Sequence, residues 1–299
     1  MNKFTFLPAL LLVCATTHAQ TDSSRQNAPD TIKAGNFIIV KKRKEPSNPS
    51  NPARQDKEFH ISIQRRHAAR NKNVSTNWLV FDLGFANWRD RTDYAGAAFA
   101  NQGTASQYIR NIPHHGLADN PVTKNSFDLR TGKSSNVNIW FFIQKRNLIG
   151  HVLHLKYGLG LEMYNYRFES NISFRNSPQP YAFMDSISFT KNKLYAGYIT
   201  VPLMLNLTSG SRRRGLTVSA GMSAGYLIGS RNKQISAERG KQKFRGNLNM
   251  EPWRLAAIGE LGLGPVRLYG SYSLNSLQQK DRTGLEQYPY AVGVRFSTF

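Results

Sequence analysis

The sequence predicts an all-β protein: an eight-stranded antiparallel transmembrane β-barrel behind a mostly disordered N-terminal extension. Three observations carry that expectation. Apolar residues recur at every second position in runs from Asn77 onward. The connections between the resulting strands are alternately long and short. After a secretory leader, no stretch reaches the roughly 18 consecutive apolar residues that a membrane-spanning helix needs.

The leader is residues 1–19. Lys3 gives its positive start, Phe4 to Ala15 its apolar centre, and Thr17-His18-Ala19 a small-x-small cleavage site before Gln20. Lipid attachment at Cys14 is disfavoured, because Val13 stands where a small residue should precede the modified cysteine. Cys14 is the chain's one cysteine, so a mature protein would hold no disulfide, thiolate metal site or cysteine nucleophile.

Residues 20–76 read as a basic, polar periplasmic linker, with 12 Lys and Arg against five acids. The run from Pro46 through Pro49 to Pro52 is extended in character, and only Phe37–Val40 has the composition of a short strand.

Residues 77–299 form the barrel. The clearest strand is His151 to Tyr164, where Leu153, Leu155, Tyr157, Leu159, Leu161 and Met163 alternate with His154, Lys156, Gly158, Gly160 and Glu162. Similar runs lie near 77–87, 136–145, 194–207, 216–229, 253–263 and 265–275. The last strand puts Tyr288, Tyr290, Val292, Val294 and Phe296 on one face, and Ala291, Gly293 and Arg295 on the other. Each of these eight runs is near the ~9–11 residues that a tilted strand needs to cross a bilayer. The connections near 88–135, 169–193 and 230–252 are long, those at 146–150, 208–215 and 264–265 are short, and 276–287 is moderate. Short turns at one end and long loops at the other are the pattern of an outer-membrane barrel.

The faces opposite the apolar ones carry Asp82, Lys156, Glu162, Arg254, Glu260, Arg267 and Arg295. An eight-stranded barrel is just wide enough for side chains to fill, so these charges are expected to pair inside it and leave no open pore. Trp78, Trp253, Tyr288 and Tyr290 sit at strand ends, where an aromatic girdle belongs. A soluble lipocalin-like or sandwich fold shares the alternation but turns its apolar faces inward. Faces such as Thr217, Ser219, Gly221, Ser223 and Gly225 would line a poor apolar cavity, which favours the membrane barrel.

The 40 Lys and Arg exceed the 18 Asp and Glu by 22. These cations are spread over linker, turns and loops of an exported chain, so nucleic acid is not the expected partner. Within the loop near 230–252, the stretch from 231 to 245 concentrates Arg231, Lys233, Arg239, Lys241, Lys243 and Arg245 against Glu238. It is expected outside the cell, where it would meet outer-membrane lipids and bind lipopolysaccharide phosphates or acidic glycans. The Arg212-Arg213-Arg214 turn falls on the opposite side, near headgroup phosphates.

Gly221-Met222-Ser223-Ala224-Gly225 matches G-x-S-x-G, but a nucleophile elbow needs a sharp strand-to-helix turn and this pentapeptide lies within an alternating strand. His114-His115 are the only histidines in an external loop, and no spaced set of metal ligands accompanies them. Neither catalysis nor a cofactor is expected.

The chain resembles the PorT-like outer-membrane β-barrel family of the Bacteroidota. The likeness rests on Asp82–Asn87, Lys156–Glu162, Tyr198–Leu205, Ser219–Tyr226 and Glu260–Gly264, with Asp30–Val40 similar to a short module that precedes the barrel in some members. It implies an outer-membrane location and no set of catalytic residues. Phe299 resembles the C-terminal aromatic read by the barrel-assembly machinery, and Asp30-Thr31-Ile32 and Asp185-Ser186-Ile187 resemble O-glycan attachment sites of these bacteria. The expected role is structural or surface-binding, with a lipid-modifying enzyme and a narrow pore or transport accessory as the alternatives.

Overall fold

The computed structural model describes residues 30–34, 37–41, 73–96, 108–112, 121–209, 216–263 and 266–297. The leader, the Pro46–Pro52 run, His114-His115, the Arg212–Arg214 turn and Phe299 lie outside the described residues. Two units divide the chain, Met1–Asn71 and Lys72–Phe299.

In the first unit β1 (Asp30–Ala34) pairs antiparallel with β2 (Phe37–Lys41), Ile32 lying opposite Ile39. The strand expected at Phe37–Val40 thus has its partner immediately upstream.

The second unit contains, in chain order, β3 (Val74–Asp90), β4 (Ser135–Ile149), β5 (Leu153–Arg167), β6 (Ile172–Arg175), β7 (Tyr181–Met184), β8 (Lys191–Thr208), β9 (Leu216–Ser236), β10 (Gly240–Arg245), β11 (Trp253–Leu263), β12 (Val266–Ser273) and β13 (Gln287–Phe296). Eight of them form a ring in the order β3-β4-β5-β8-β9-β11-β12-β13, and β13 pairs back onto β3. The first and last strands of the ring therefore close it directly. β3 begins at Val74 rather than 77, because Val74–Asn77 pair with Arg146–Ile143.

Side-chain direction separates the membrane barrel from its soluble rival. Phe81, Leu83 and Phe85 on β3, Val201, Leu203 and Leu205 on β8, Met222 on β9, Leu255 on β11, Leu268 on β12 and Val292 on β13 are all exposed. A lipocalin-like fold would bury them; here they form an apolar outer wall. Phe81 to Phe85 with Trp78 spans eight positions, roughly 20 Å of height for a strand tilted about 40°. Trp78 marks the short-turn end, and Tyr226 with Trp253 (ring centroids 5.1 Å apart) and Tyr290 mark the other.

Two of the expected connections are ordered structure instead. β8 and β9 run 18 and 21 residues, well past the apolar wall, and stay paired up to Lys191 and Ile235. β10 folds back on the far edge of β9, so much of the loop expected near 230–252 is a β-hairpin. Its inner positions are satisfied by hydrogen bonds rather than by apolar contact: Gln234 Nε2 donates to Ser173 Oγ (2.6 Å), and Asn232 Nδ2 to Asn192 Oδ1 (3.1 Å). The long connections also turn inward over the mouth of the ring. Val122, Phe127, Leu129, Ile172, Phe174, Leu248, Met250, Leu277 and Leu285 pack with Trp88, Tyr164, Tyr166 and Tyr198 in one buried cluster. Backbone hydrogen bonds tie the segments together, Ala182 N to Tyr108 O (2.7 Å) and Gln279 N to Asn249 O (2.8 Å) among them.

Candidate functional site

Strand register places the lumen charges. Across neighbouring strands Arg267 stands opposite Arg295, Arg295 opposite Asp82, Asp82 opposite Asn138, Asn138 opposite Glu162 and Glu162 opposite Tyr198. All seven charged residues named from the sequence are buried. Four of them join in one chain. Arg295 grips Asp82 with Nε and Nη2, both at 2.7 Å, and its Nη1 donates to Glu260, which also takes Lys156 Nζ. Arg254 and Glu162 form a separate pair at 2.8 Å. Asp82 accepts further hydrogen bonds from Trp140 Nε1 (2.7 Å) and Asn138 Nδ2 (3.0 Å). Arg267 is the exception: its Nη1 donates to Thr217 Oγ1 (2.7 Å), and no carboxylate among the described residues reaches it. Three acids against four bases leave a net positive charge inside, and the cation without a carboxylate is the one opposite Arg295 in register.

A cavity of about 20 Å³ lies between Trp140, Glu162, Glu260, Tyr269 and Arg295, space for about one water. Above it Tyr164 stacks on Tyr166 (5.9 Å), which packs against Trp88 (4.8 Å), and the buried cluster of the mouth follows. Tyr108 is enclosed in that cluster and accepts from Gln278 Nε2 (3.1 Å), and burial pushes its phenol up. Sequence reasoning did not name these cap residues, whose apolar pairs Phe127/Leu129, Ile172/Phe174 and Leu248/Met250 each cover a single two-residue step.

An open cleft of about 410 Å³ on the rim is lined by Asp90, Asp128, Glu169, Lys124 and the Trp88 and Phe127 rings. Asp90 is already engaged, accepting from Tyr94 OH (2.6 Å) and Thr92 N (2.9 Å). Among the described residues no group of three or more His, Cys, Asp or Glu is placed to hold a metal.

Ser223 lies mid-strand, opposite Pro202 on one side and Ala256 on the other, with its Oγ buried and unpartnered. The G-x-S-x-G match has a packing explanation. A Cβ at Gly221 would overlap the Leu203 carbonyl oxygen, so glycine permits the close approach of β8 and β9.

The six cations assigned to one external loop are split. Arg231 and Lys233 stand on β9, Lys241, Lys243 and Arg245 on β10, and Arg239 in the turn between them. Arg239 Nη1 is held by the buried Asp185 carboxylate at 2.9 Å, which Arg175 also approaches at 3.5 Å. The Asp185-Ser186-Ile187 segment therefore has its carboxylate committed to ion pairs, with Ser186 exposed. Arg231 lies 4.4 Å over the Tyr195 ring.

Residues 100–279 match the family described as outer membrane protein beta-barrel domain. A comparison with curated proteins finds no match. The matched region holds six of the eight ring strands, and the two that close the ring, β3 and β13, flank it. From that match, the closed ring and its apolar wall, the chain belongs to the outer membrane protein β-barrel domain family.

Proposed function

We propose that this outer-membrane barrel is a sealed scaffold with a structural or surface-binding role, its long connections built into an external platform. The observation that carries the reading is the double closure of the described lumen, by the Lys156–Glu260–Arg295–Asp82 chain within and the apolar cluster at the mouth. The wide end with the long connections faces outward, and the short turns face the periplasm. On this reading residues 1–19 are cleaved at export, the residues from 20 up to the start of β3 are a periplasmic linker, and Phe299 is the C-terminal aromatic that engages the barrel-assembly machinery. The resemblance to PorT-like barrels of the Bacteroidota is the finer family assignment, supported by the segments quoted from the sequence.

The test pairs gel mobility with planar-bilayer recording. The mature chain should fractionate with outer membranes, shift mobility only after boiling in detergent, and give no conductance steps. Steady single-channel currents would overturn the sealed reading in favour of a pore, and changed lipid acylation on knockout would point to an enzyme.

A further inference from the structure

Beyond the apolar wall, β5, β8, β9 and β10 lie side by side as one sheet. Its register aligns like charges. Arg167 is opposite Lys193, Lys193 opposite Lys233, and Lys233 opposite Lys243. The flanking rows are Tyr195, Arg231 and Arg245 on one side, and Lys191, Ile235 and Lys241 on the other. Residues two apart share a face, and the alternate positions Asn192, Leu194, Asn232 and Gln234 are buried on the inner side. Eight cations therefore share the outer face: Arg167, Lys191 and Lys193 with five of the six named above, Arg239 being held by Asp185. With strands ~4.8 Å apart and alternate residues ~6.7 Å apart, they occupy a patch of about 14 Å by 13 Å.

No carboxylate occupies any position of this grid, and among the described residues none of the eight cations forms an ion pair. Arg231 Nε is enclosed without an acceptor. Lys241, two positions away, lowers the pKa of Lys243, the sign of an uncompensated field. Like charges directly opposite weaken strand pairing, and a surface kept only for solubility mixes signs. The grid fits an anion supplied from outside the chain.

We infer that this face is a binding site for the phosphate groups of the outer-leaflet lipid against which the barrel stands, the phosphorylated headgroup of lipopolysaccharide. The inference rests on the sealed, outward-facing reading above and names the ligand of that platform. Continuity with the lipid-facing wall selects the lipid over other anions. Six residues below Lys193, β8 presents exposed Ile199 and then Val201; five below Arg231, β9 presents Tyr226. A rise of ~3.3 Å per residue and a tilt of ~40° put the grid roughly 12–15 Å above these side chains. One lipid can thus lay its acyl chains on the wall and its phosphates on the cations of the same strands.

The experiment uses the full mature chain in detergent micelles, with native mass spectrometry reading the bound lipid. The probes are lipid A carrying two phosphates, the same lipid without phosphate, and millimolar inorganic phosphate as competitor. The wild type should prefer the phosphorylated form, and inorganic phosphate should not displace it. The variant K193Q/K233Q/K241Q/K243Q should bind phosphorylated lipid A roughly several hundred-fold more weakly, four cations each contributing about fivefold near an anionic surface, and bind the phosphate-free lipid unchanged. Equal binding of the two lipids by the wild type, displacement by inorganic phosphate, or an unchanged variant would each overturn the inference. Should the variant lose its heat-dependent mobility shift, salt decides on the wild type: phosphate-dependent binding must fall steeply with ionic strength, and a flat response refutes it. A wild type that shows no mobility shift would instead remove the barrel reading beneath.

Discussion

Replacing Arg295 by Met tests whether the lumen charges hold the ring closed. Arg295 is 5% exposed and Asp82 0%. The guanidinium ties β13 to β3 through the two 2.7 Å bonds to Asp82 and ties β13 to β11 through Glu260. Methionine fills much of the same volume but leaves the Asp82 carboxylate with only the neutral donors Asn138 and Trp140, while Glu260 keeps Lys156. Breaking a buried ion pair from one side costs about 3–5 kcal/mol, and with one carboxylate orphaned and the other still paired, a loss of about 4 kcal/mol is expected. Adding Asp82→Asn removes the orphaned charge and should return at least ~2 kcal/mol, since replacing both partners of a buried pair is often neutral. Urea unfolding in lipid vesicles, followed by tryptophan emission, reads the difference. At a slope of ~2 kcal/mol per molar urea, the single variant's midpoint falls by about 2 M and the double variant's by about 1 M. A single variant within ~0.5 M of wild type, or a double variant no better than the single, would refute the reasoning.

Trp88→Ala removes an 8%-exposed ring lying 4.8 Å from Tyr166 and 5.7 Å from Phe168. A loss of about 3–5 kcal/mol should fall on the cap, seen as new protease cleavage of the long connections on intact cells while the heat-dependent mobility shift persists. Ser223→Ala deletes a buried hydroxyl that has no partner, so stability should change by less than about 1 kcal/mol and the lipid profile stay constant. A changed profile would revive the hydrolase alternative. Gly221→Val forces a side chain onto the Leu203 carbonyl, and pulse-chase fractionation should show the chain accumulating in the periplasm instead of reaching the outer membrane. Lys243→Gln removes a charge from the aligned row, and the sign follows from Lys241 lowering the Lys243 pKa. A Lys pKa below its unfolded value means that the charge costs the folded state at neutral pH, a cost that fades as pH rises through the lysine range. Amide exchange in β10 should therefore be slower in the variant at neutral pH, with the gap closing in alkali.

The lumen charges were legible because the wall strands place one residue type on each face. Once Leu155, Tyr157 and Leu161 are assigned to lipid, Lys156 and Glu162 have only the inside to go to. What alternation does not give is which of them meet. Arg295 reaches Asp82 across the closing strand pair and Glu260 two strands away, while Arg267, directly opposite Arg295, finds a hydroxyl. That outcome depends on the stagger of the ring, a property of all eight strands at once. The cap was missed for a different reason. Pairs such as Ile172/Phe174 and Leu248/Met250 are too short to show a period, and their partners lie far off in sequence, as in the parallel bridge of Ile109 with Ala182. The upper hairpin was missed because it is polar on both faces. Asn232 and Gln234 are buried by hydrogen bonds while Arg231 and Lys233 face out, and hydropathy scores the two faces alike.

That last case also separates the two charge clusters in kind. Within the wall a charge has no water to turn to, so a lone carboxylate or ammonium costs several kcal/mol and the sequence supplies a partner for nearly every one. Above the wall the penalty is small, and unlike signs could have been interleaved along β8, β9 and β10 at no cost to folding. They are not: the inward cations answer three carboxylates, whereas Lys193, Lys233 and Lys243 answer only one another. Charge compensated within the chain is explained by the stability of the chain. Charge aligned against strand pairing and left without compensation has no such explanation within the chain, and that contrast is the ground on which the proposed site for membrane phosphates rests.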